Sequence, residues 1–374
     1  MKNLLFVIML FLVGCKTTQL PNFENINSVE AKIVRTGLLN IYPSGLKADS
    51  VNYVYAETSA AMKMGDQILI AIDKPTPAAV SPVFTVPVAD VLKKTKSVAP
   101  IHYITASPFP KVLKLEAFAK SPNDSIFFAT TAFDRIRGSA ANWDAYNALL
   151  TWQAADFSDV QYIAGTERDA VVSSRDLRAS LQRALPTSLF PEGVPYFKIE
   201  AMTVLPGNRL IFGVRELGES YLKFDYTFIL LETTFTKSRR GVQIDPNFKK
   251  IYEFQPVVNG RKMGISDLVY QPATNSLLAL TSYEAGEDEK AKIFYSSLWV
   301  LPLSRLEKGE APIPVSSQGK QLEMPYKAEG ITLLDDRTLF IIFDEDRKDT
   351  EVRTDKKTLK KQPNQAIFSI VKIK

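Results

Sequence analysis

Cysteine and histidine are nearly absent from this chain, with one of each, Cys15 and His102, in 374 residues. A single thiol cannot form an internal disulfide, and a zinc centre built on Cys and His lacks its donors. No glycine-rich phosphate loop and no G-x-S-x-G elbow occurs, which sets aside P-loop and α/β-hydrolase chemistry as far as motifs can. The apolar stretch at residues 4–13 is about ten residues long, half of what a bilayer-crossing helix needs. Net charge is small as well, +5 from 46 basic and 41 acidic residues, and gives no reason to expect nucleic acid as a partner. His102 sits in the apolar stretch PIHYIT and reads as structural rather than catalytic.

What the chain does have is a repeated hairpin. Residues 198–215, KIEAMTVLPGNRLIFGVR, are two β-prone runs around a Pro206-Gly207-Asn208 turn. Four other stretches share the design: residues 56–73, 115–134, 265–282 and 328–344. Each carries an acid near its start, namely Glu57, Glu116, Glu200, Asp267 and Glu329, spaced by 59, 84, 67 and 62 residues. A strand unit recurring every 60 or so residues without alternating helices argues for a radial array, an all-β propeller of five or six blades. The alternative is a β-sandwich with accidental similarity. The spacings exceed the roughly 40–50 residues usual for propeller repeats, so insertions belong in outer loops.

Closure of such a ring takes both chain ends. Residues 30–39 and 366–373 each read as a lone strand, and together they make the natural clasp. Within the 84-residue spacing lies one inserted helix: Ser173 to Asp176 fit a capping box, Leu177, Leu181 and Leu185 form a stripe, and Pro186 stops the run. Residues 137–152 read as a loop or short helix over one face. Residues 345–363 form a charged run ending in Lys356, Lys357, Lys360 and Lys361; it reads as a solvated loop, with anionic lipid or peptidoglycan as the alternative partner.

The start of the chain carries the most specific motif. Lys2, the apolar residues 4–13 and Leu12-Val13-Gly14-Cys15 closely resemble a bacterial lipoprotein signal. The resemblance implies cleavage before Cys15 and diacylglycerol on its thiol; the alternative is an ordinary signal peptide with a chance cysteine. Residues 1–14 are then a signal peptide, 15–28 a polar tether, and 29–374 the propeller domain. Lys16, in place of the Asp that resembles an inner-membrane retention signal, places the protein on the outer membrane, facing the periplasm.

Chemistry falls to the repeated acids. Glu116, Glu200, Asp267 and Glu329, with Arg215 at the end of a second strand, are the ligand-binding candidates. Carboxylates gathered on one axis need compensation. Calcium held by Glu200, Asp267 and Glu329 is one solution. Ion pairs with Lys74, Arg135 and Arg215 are another, and bonds to backbone N–H groups of neighbouring blades are a third.

The E-[AG]-[ILMF] pattern, seen at Glu116-Ala117-Phe118, Glu200-Ala201-Met202 and Glu329-Gly330-Ile331, resembles the esterase-like, phytase-associated β-propellers of secreted bacterial proteins. It is similar, more distantly, to gluconolactonase and strictosidine-synthase-like propellers, where an early Glu holds a divalent cation. The Asn and Asp partners of the lactonase metal site have no match in this sequence. The expectation is therefore an envelope propeller that binds a small molecule or protein partner. A calcium-dependent hydrolase of a phosphoester or lactone is the alternative, and a structural scaffold the third reading.

Overall fold

A computed structural model of the chain describes residue 23 and residues 26–374, except 48, 50–51, 78–79, 94–100, 124, 137, 140–141, 240, 285–293, 325, 346–349 and 355–356. The signal, Cys15 and most of the tether lie outside the described residues. Lys356 does too.

The regular structure of the described chain is nearly all β, arranged mainly in antiparallel meanders. The first comprises Thr58–Met64, Gln67–Ile72, Val83–Pro87 and His102–Tyr103. The second comprises Leu115–Lys120, Phe127–Thr131, Leu149–Trp152 and Gln161–Tyr162. The third has Tyr196–Leu205, Arg209–Ser220, Lys223–Ser238 and Lys249–Phe254. Apart from short outer hairpins, the remaining strands form one ten-stranded sheet, which divides where Val29 and Glu30 pair in parallel with Val315 and Ser316. On one side of that seam lies a fourth meander: Gly264–Gln271, Ser276–Glu284, Phe294–Pro302 and Ile313–Ser317. On the other lie Lys327–Leu333, Thr338–Asp344, Gln365–Ile373 and Val29–Asn40.

The first strands of these meanders neighbour one another in a closed cycle, the fifth packing on the first. Hence the fold is propeller-like. The apolar runs follow from it, because a strand covered on both faces has no reason to alternate with polar residues. In Thr338–Asp344, Leu339, Ile341 and Phe343 face the fourth meander, while Phe340 and Ile342 face the first. A separate buried cluster fills each of the interfaces around the cycle. The second and third first strands are direct neighbours, so the long spacing between Glu116 and Glu200 holds outer structure.

That outer structure includes the helix Asp176–Arg183, whose Leu177 and Leu181, with Leu185 just beyond, pack into the core between the second and third meanders. The capping box does not form. Ser174 Oγ instead donates to the Ile163 carbonyl and accepts from the Leu149 N–H, pinning the helix approach to the sheet. Residues 137–152 supply the third strand of the second meander and a short 3-10 turn, Trp143–Tyr146. The charged run is only partly a solvated loop. Glu351–Arg353 and Thr358–Lys360 pair as a hairpin, with Val352 and Lys361 buried. His102 is exposed on a two-residue outer strand. Among the described residues no helix is long and apolar enough to cross a membrane.

The chain ends meet as the sequence indicates. Val29–Asn40 runs antiparallel to Gln365–Ile373, from Ala31 opposite Ile373 to Asn40 opposite Gln365. Removing either strand opens two sheet edges at once. Deleting residues 364–374 is expected to abolish cooperative thermal unfolding or drive aggregation. A monomeric truncated protein with the parental melting temperature would contradict the clasp.

Candidate functional site: a ring of bulges on the axis

In every first strand the ladder slips by one residue near its start. The slips fall between Thr58 and Ala60, Leu115 and Ala117, Ile199 and Ala201, Ile265 and Asp267, and Ala328 and Gly330. A bulge leaves one residue unpaired and re-aims its side chain. The residues at these five slips are Ser59, Glu116, Glu200, Ser266 and Glu329.

This alignment corrects the sequence-based set at two places. Glu57 precedes the first slip by two residues and Asp267 follows the fourth by one, so neither occupies the equivalent position; serines do. Asp267 accepts from the backbone N–H of Leu268 and, across the interface, of Ile331, both at 2.8 Å. It staples the fourth first strand to the fifth. Glu57 lies at the mouth of the axis, where it pairs with Lys74 at 3.1 Å.

The three glutamates do converge. Glu116, Glu200 and Glu329 each place a carboxylate oxygen within 4.8 Å of the others, and all three are buried. Of their counter-charges Arg215 and Lys198 are buried and Lys327 is partly buried. Lys198 donates to Glu200 and lies 3.4 Å from Glu116. Arg215 lies 3.1 Å from Glu200 and donates to Ser266 Oγ and Ser282 Oγ at 2.8 and 2.7 Å. The Tyr226 ring covers its guanidinium, at 4.9 Å. Lys327 pairs with Glu329 at 3.1 Å, Asp344 at 3.3 Å and Glu284 at 3.5 Å. Of the remaining cations weighed from sequence, Arg135 pairs with Asp134 instead, at 3.1 Å.

Two of these cations were missed in the sequence, although a signal for them exists. Lysine stands two residues before each glutamate: Lys114-Leu115-Glu116, Lys198-Ile199-Glu200 and Lys327-Ala328-Glu329. The fourth strand has Gly264 at that place. A Cβ there would lie 2.6 Å from Arg215 Cγ, so the glycine makes the room that Arg215 fills from the third meander. Gly330 is constrained likewise: its Cβ would sit 2.7 Å from the Ala61 nitrogen, where the fifth first strand closes on the first.

Protons distribute unevenly among the three acids. Burial alone would raise the pKa of Glu200, but Arg215 and Lys198 outweigh it and bring the value down to about 2. Burial and the neighbouring Glu200 charge push Glu329 up to about 7, against the pull of Lys327. Burial also holds Glu116 well above its ordinary range. One carboxylate stays ionised while its neighbours keep protons more readily, as expected when like charges share a buried site.

The axis has two unlike ends. Beyond the ring, the later halves of the first strands enclose an apolar cavity of about 210 Å³, with Met62, Phe118, Val204 and Leu268 in its wall. At the other end, where the first strands begin, lies a cavity of about 180 Å³ lined almost wholly by charged side chains, Lys114, Lys198, Asp73 and Asp344 among them.

Neither a family model nor a curated protein sequence matches this chain. Among solved structures it is similar to a glycosyl hydrolase from Bacteroides ovatus, with 9% identity, 94% of this chain and 92% of that one covered, and a TM-score of 0.39. A luciferin-regenerating enzyme is similar at 6% identity over 85% and 94% of the two chains, TM-score 0.37. The Dos1 propeller is similar at 8% identity over 78% and 67%, TM-score 0.31. Likeness at this level transfers no function. The propeller-like description rests on the strand pairing itself.

Two outcomes are expected. Arg215→Ala strands the buried Glu200 charge and should lower unfolding free energy by about 3–5 kcal/mol in chemical denaturation; a loss under 1 kcal/mol would contradict the compensation. The second concerns pH. Glu329 keeps its proton in the native state up to about 7, whereas the unfolded chain releases it near 4.5. This group therefore makes stability fall as pH rises through that window. Glu329→Gln should remove the fall, so that its melting temperature exceeds the parental one at pH 8 more than at pH 5.

Proposed function

We propose that this protein is a lipid-anchored, five-bladed β-propeller of the cell envelope that binds a small polar ligand at the mouth of its axis. No catalytic activity is assigned. The observation that carries the binding reading is the charged cavity of about 180 Å³, which is reached from solvent past the half-exposed side chain of Lys74. Asp73, Asp344, Lys74 and Lys114 gather there in addition to Lys198 and Lys327, which neutralise the acid ring. Leu12-Val13-Gly14-Cys15 supports the anchor, and Lys16 supports the outer membrane, with the propeller facing the periplasm. The closed cycle of five first strands supports the reading of five blades.

A calcium-dependent hydrolase of a phosphoester or lactone is the second reading, favoured by the convergence of Glu116, Glu200 and Glu329. Calcium takes 6–8 oxygen ligands. Here the three carboxylates already share two ammoniums and a guanidinium at 3.1–3.4 Å, so a divalent ion would have to displace cations fixed in the walls. The donor set does not fit a resident calcium ion.

Two experiments address the proposal. Cys15→Ser should release the protein from membranes or leave it unprocessed; unchanged fractionation and mass would rule out the anchor. A ligand bound at the axis mouth should raise the melting temperature by mass action, roughly 2.7 kcal/mol of stability at a hundredfold excess over Kd. That gain should disappear in Asp344→Asn. Stabilisation by calcium and loss of stability with chelator would instead support the second reading.

A further inference from the structure

The charges of the mouth cavity are segregated around the ring. Lys114 and Lys198 stand side by side at the starts of the second and third first strands. Opposite them, the closure of the fifth meander on the first brings together Asp344, Asp73 and Glu57; the backbones of Glu57 and Asp344 bridge there. The like charges of Asp73 and Glu57 act on Asp344, so this arc is a carboxylate cluster that Lys327 and Lys74 only partly offset.

Asp73 Oδ1 and Asp344 Oδ1 are buried acceptors with no hydrogen-bond partner in the structure. Buried acceptors of this kind cost free energy until a donor reaches them. On the opposite side, Lys114 donates to Asp134 at 2.5 Å, one of the three donors an ammonium carries. The volume, about 180 Å³, is several times the roughly 30 Å³ share of one water molecule. Its wall offers almost no apolar surface, which leaves an aliphatic or aromatic substituent without a partner.

Resting on the reading of this mouth as a ligand site, we propose that the ligand is a small zwitterion carrying a primary ammonium and a carboxylate. The carboxylate lies on the Lys114 and Lys198 ammoniums, and the ammonium donates to Asp73 and Asp344. A lone cation would face the two lysines and a lone anion the carboxylates. Either would also carry net charge into a site lined by four acids and four lysines, whereas a zwitterion adds none and repays the desolvation of each charged end with an oppositely charged partner. The orphaned oxygens call for hydrogen donors, and beside carboxylates an ammonium supplies both the donors and the charge. A quaternary ammonium of the same charge has none.

The test is calorimetric titration of the full chain in detergent with glycine, β-alanine and γ-aminobutyrate, which step the distance between the two charges. Glycine betaine, acetate, methylammonium and glycerol complete the set of probes. At least one of the amino acids should bind, and its affinity should exceed that of glycine betaine, acetate and methylammonium by tenfold or more. Asp73→Asn, at a partly exposed position, and Lys114→Met should each weaken it tenfold or more. If glycerol, acetate or methylammonium binds as tightly as the amino acids, the zwitterion is wrong while the mouth remains a ligand site. Equal binding of glycine betaine overturns the role given to the N–H donors. Binding of none of the probes overturns this inference and the ligand reading together.

Discussion

Three glutamates place carboxylate oxygens within 4.8 Å of one another in the buried centre of this protein, and the rest of the architecture has to make that tolerable. Isolated buried carboxylates would cost several kcal/mol each. The solution is to supply cations from the same strands and from their neighbours. Lys198 and Lys327 come from two residues upstream of their glutamates, and Arg215 comes from the second strand of the third meander through the gap left by Gly264. Serine takes the ring position at the other two slips. Ser59 donates to the Leu115 carbonyl at 2.5 Å and Ser266 accepts from Arg215. The ring is therefore a mixed one, with charge on three strands and hydroxyls on two.

This centre is coupled to the packing around it. Each first strand reaches the neighbouring meander through polar contacts near the axis, such as Asp267 to the Ile331 N–H and Thr58 Oγ1 to the Phe343 carbonyl, 3.0 Å. Farther out, buried apolar clusters fill the wedge between meanders. Polar bonds fix the register near the axis while the apolar wedges supply most of the burial, since dispersion and hydrophobic transfer scale with area and ion pairs do not. The apolar and charged cavities at opposite ends of the axis follow from the same strands: their starts carry lysines and acids, their later halves Met62, Phe118, Val204 and Ile331.

Much of this was legible in the sequence because strand propensity, turn residues and the recurring acid all point the same way. The clasp could be read since both lone terminal strands lacked partners within their own hairpins, and pairing of Val29–Asn40 with Gln365–Ile373 follows. Glu57 and Asp267 were misaligned for a physical reason: a bulge shifts facing by one residue, and in residues 265–267 the acid stands one place after the serine that occupies it. The lysines preceding the glutamates were visible but unread, because a strand-period argument treats residues two apart as sharing a face without saying that they pair. The capping box does not form because the helix starts only at Asp176, with Ser173 Oγ donating to Asp144 and Ser174 Oγ to the Ile163 carbonyl.

The central claim is that wall cations, and no resident metal, neutralise the acid ring. A crystal structure from calcium-containing medium, with anomalous data, tests it most directly. The account predicts no anomalous peak among Glu116, Glu200 and Glu329, with the Lys198 ammonium between Glu116 and Glu200 and the Arg215 guanidinium against Glu200. A calcium peak ligated by those three carboxylates, with Lys198 turned away, would contradict it.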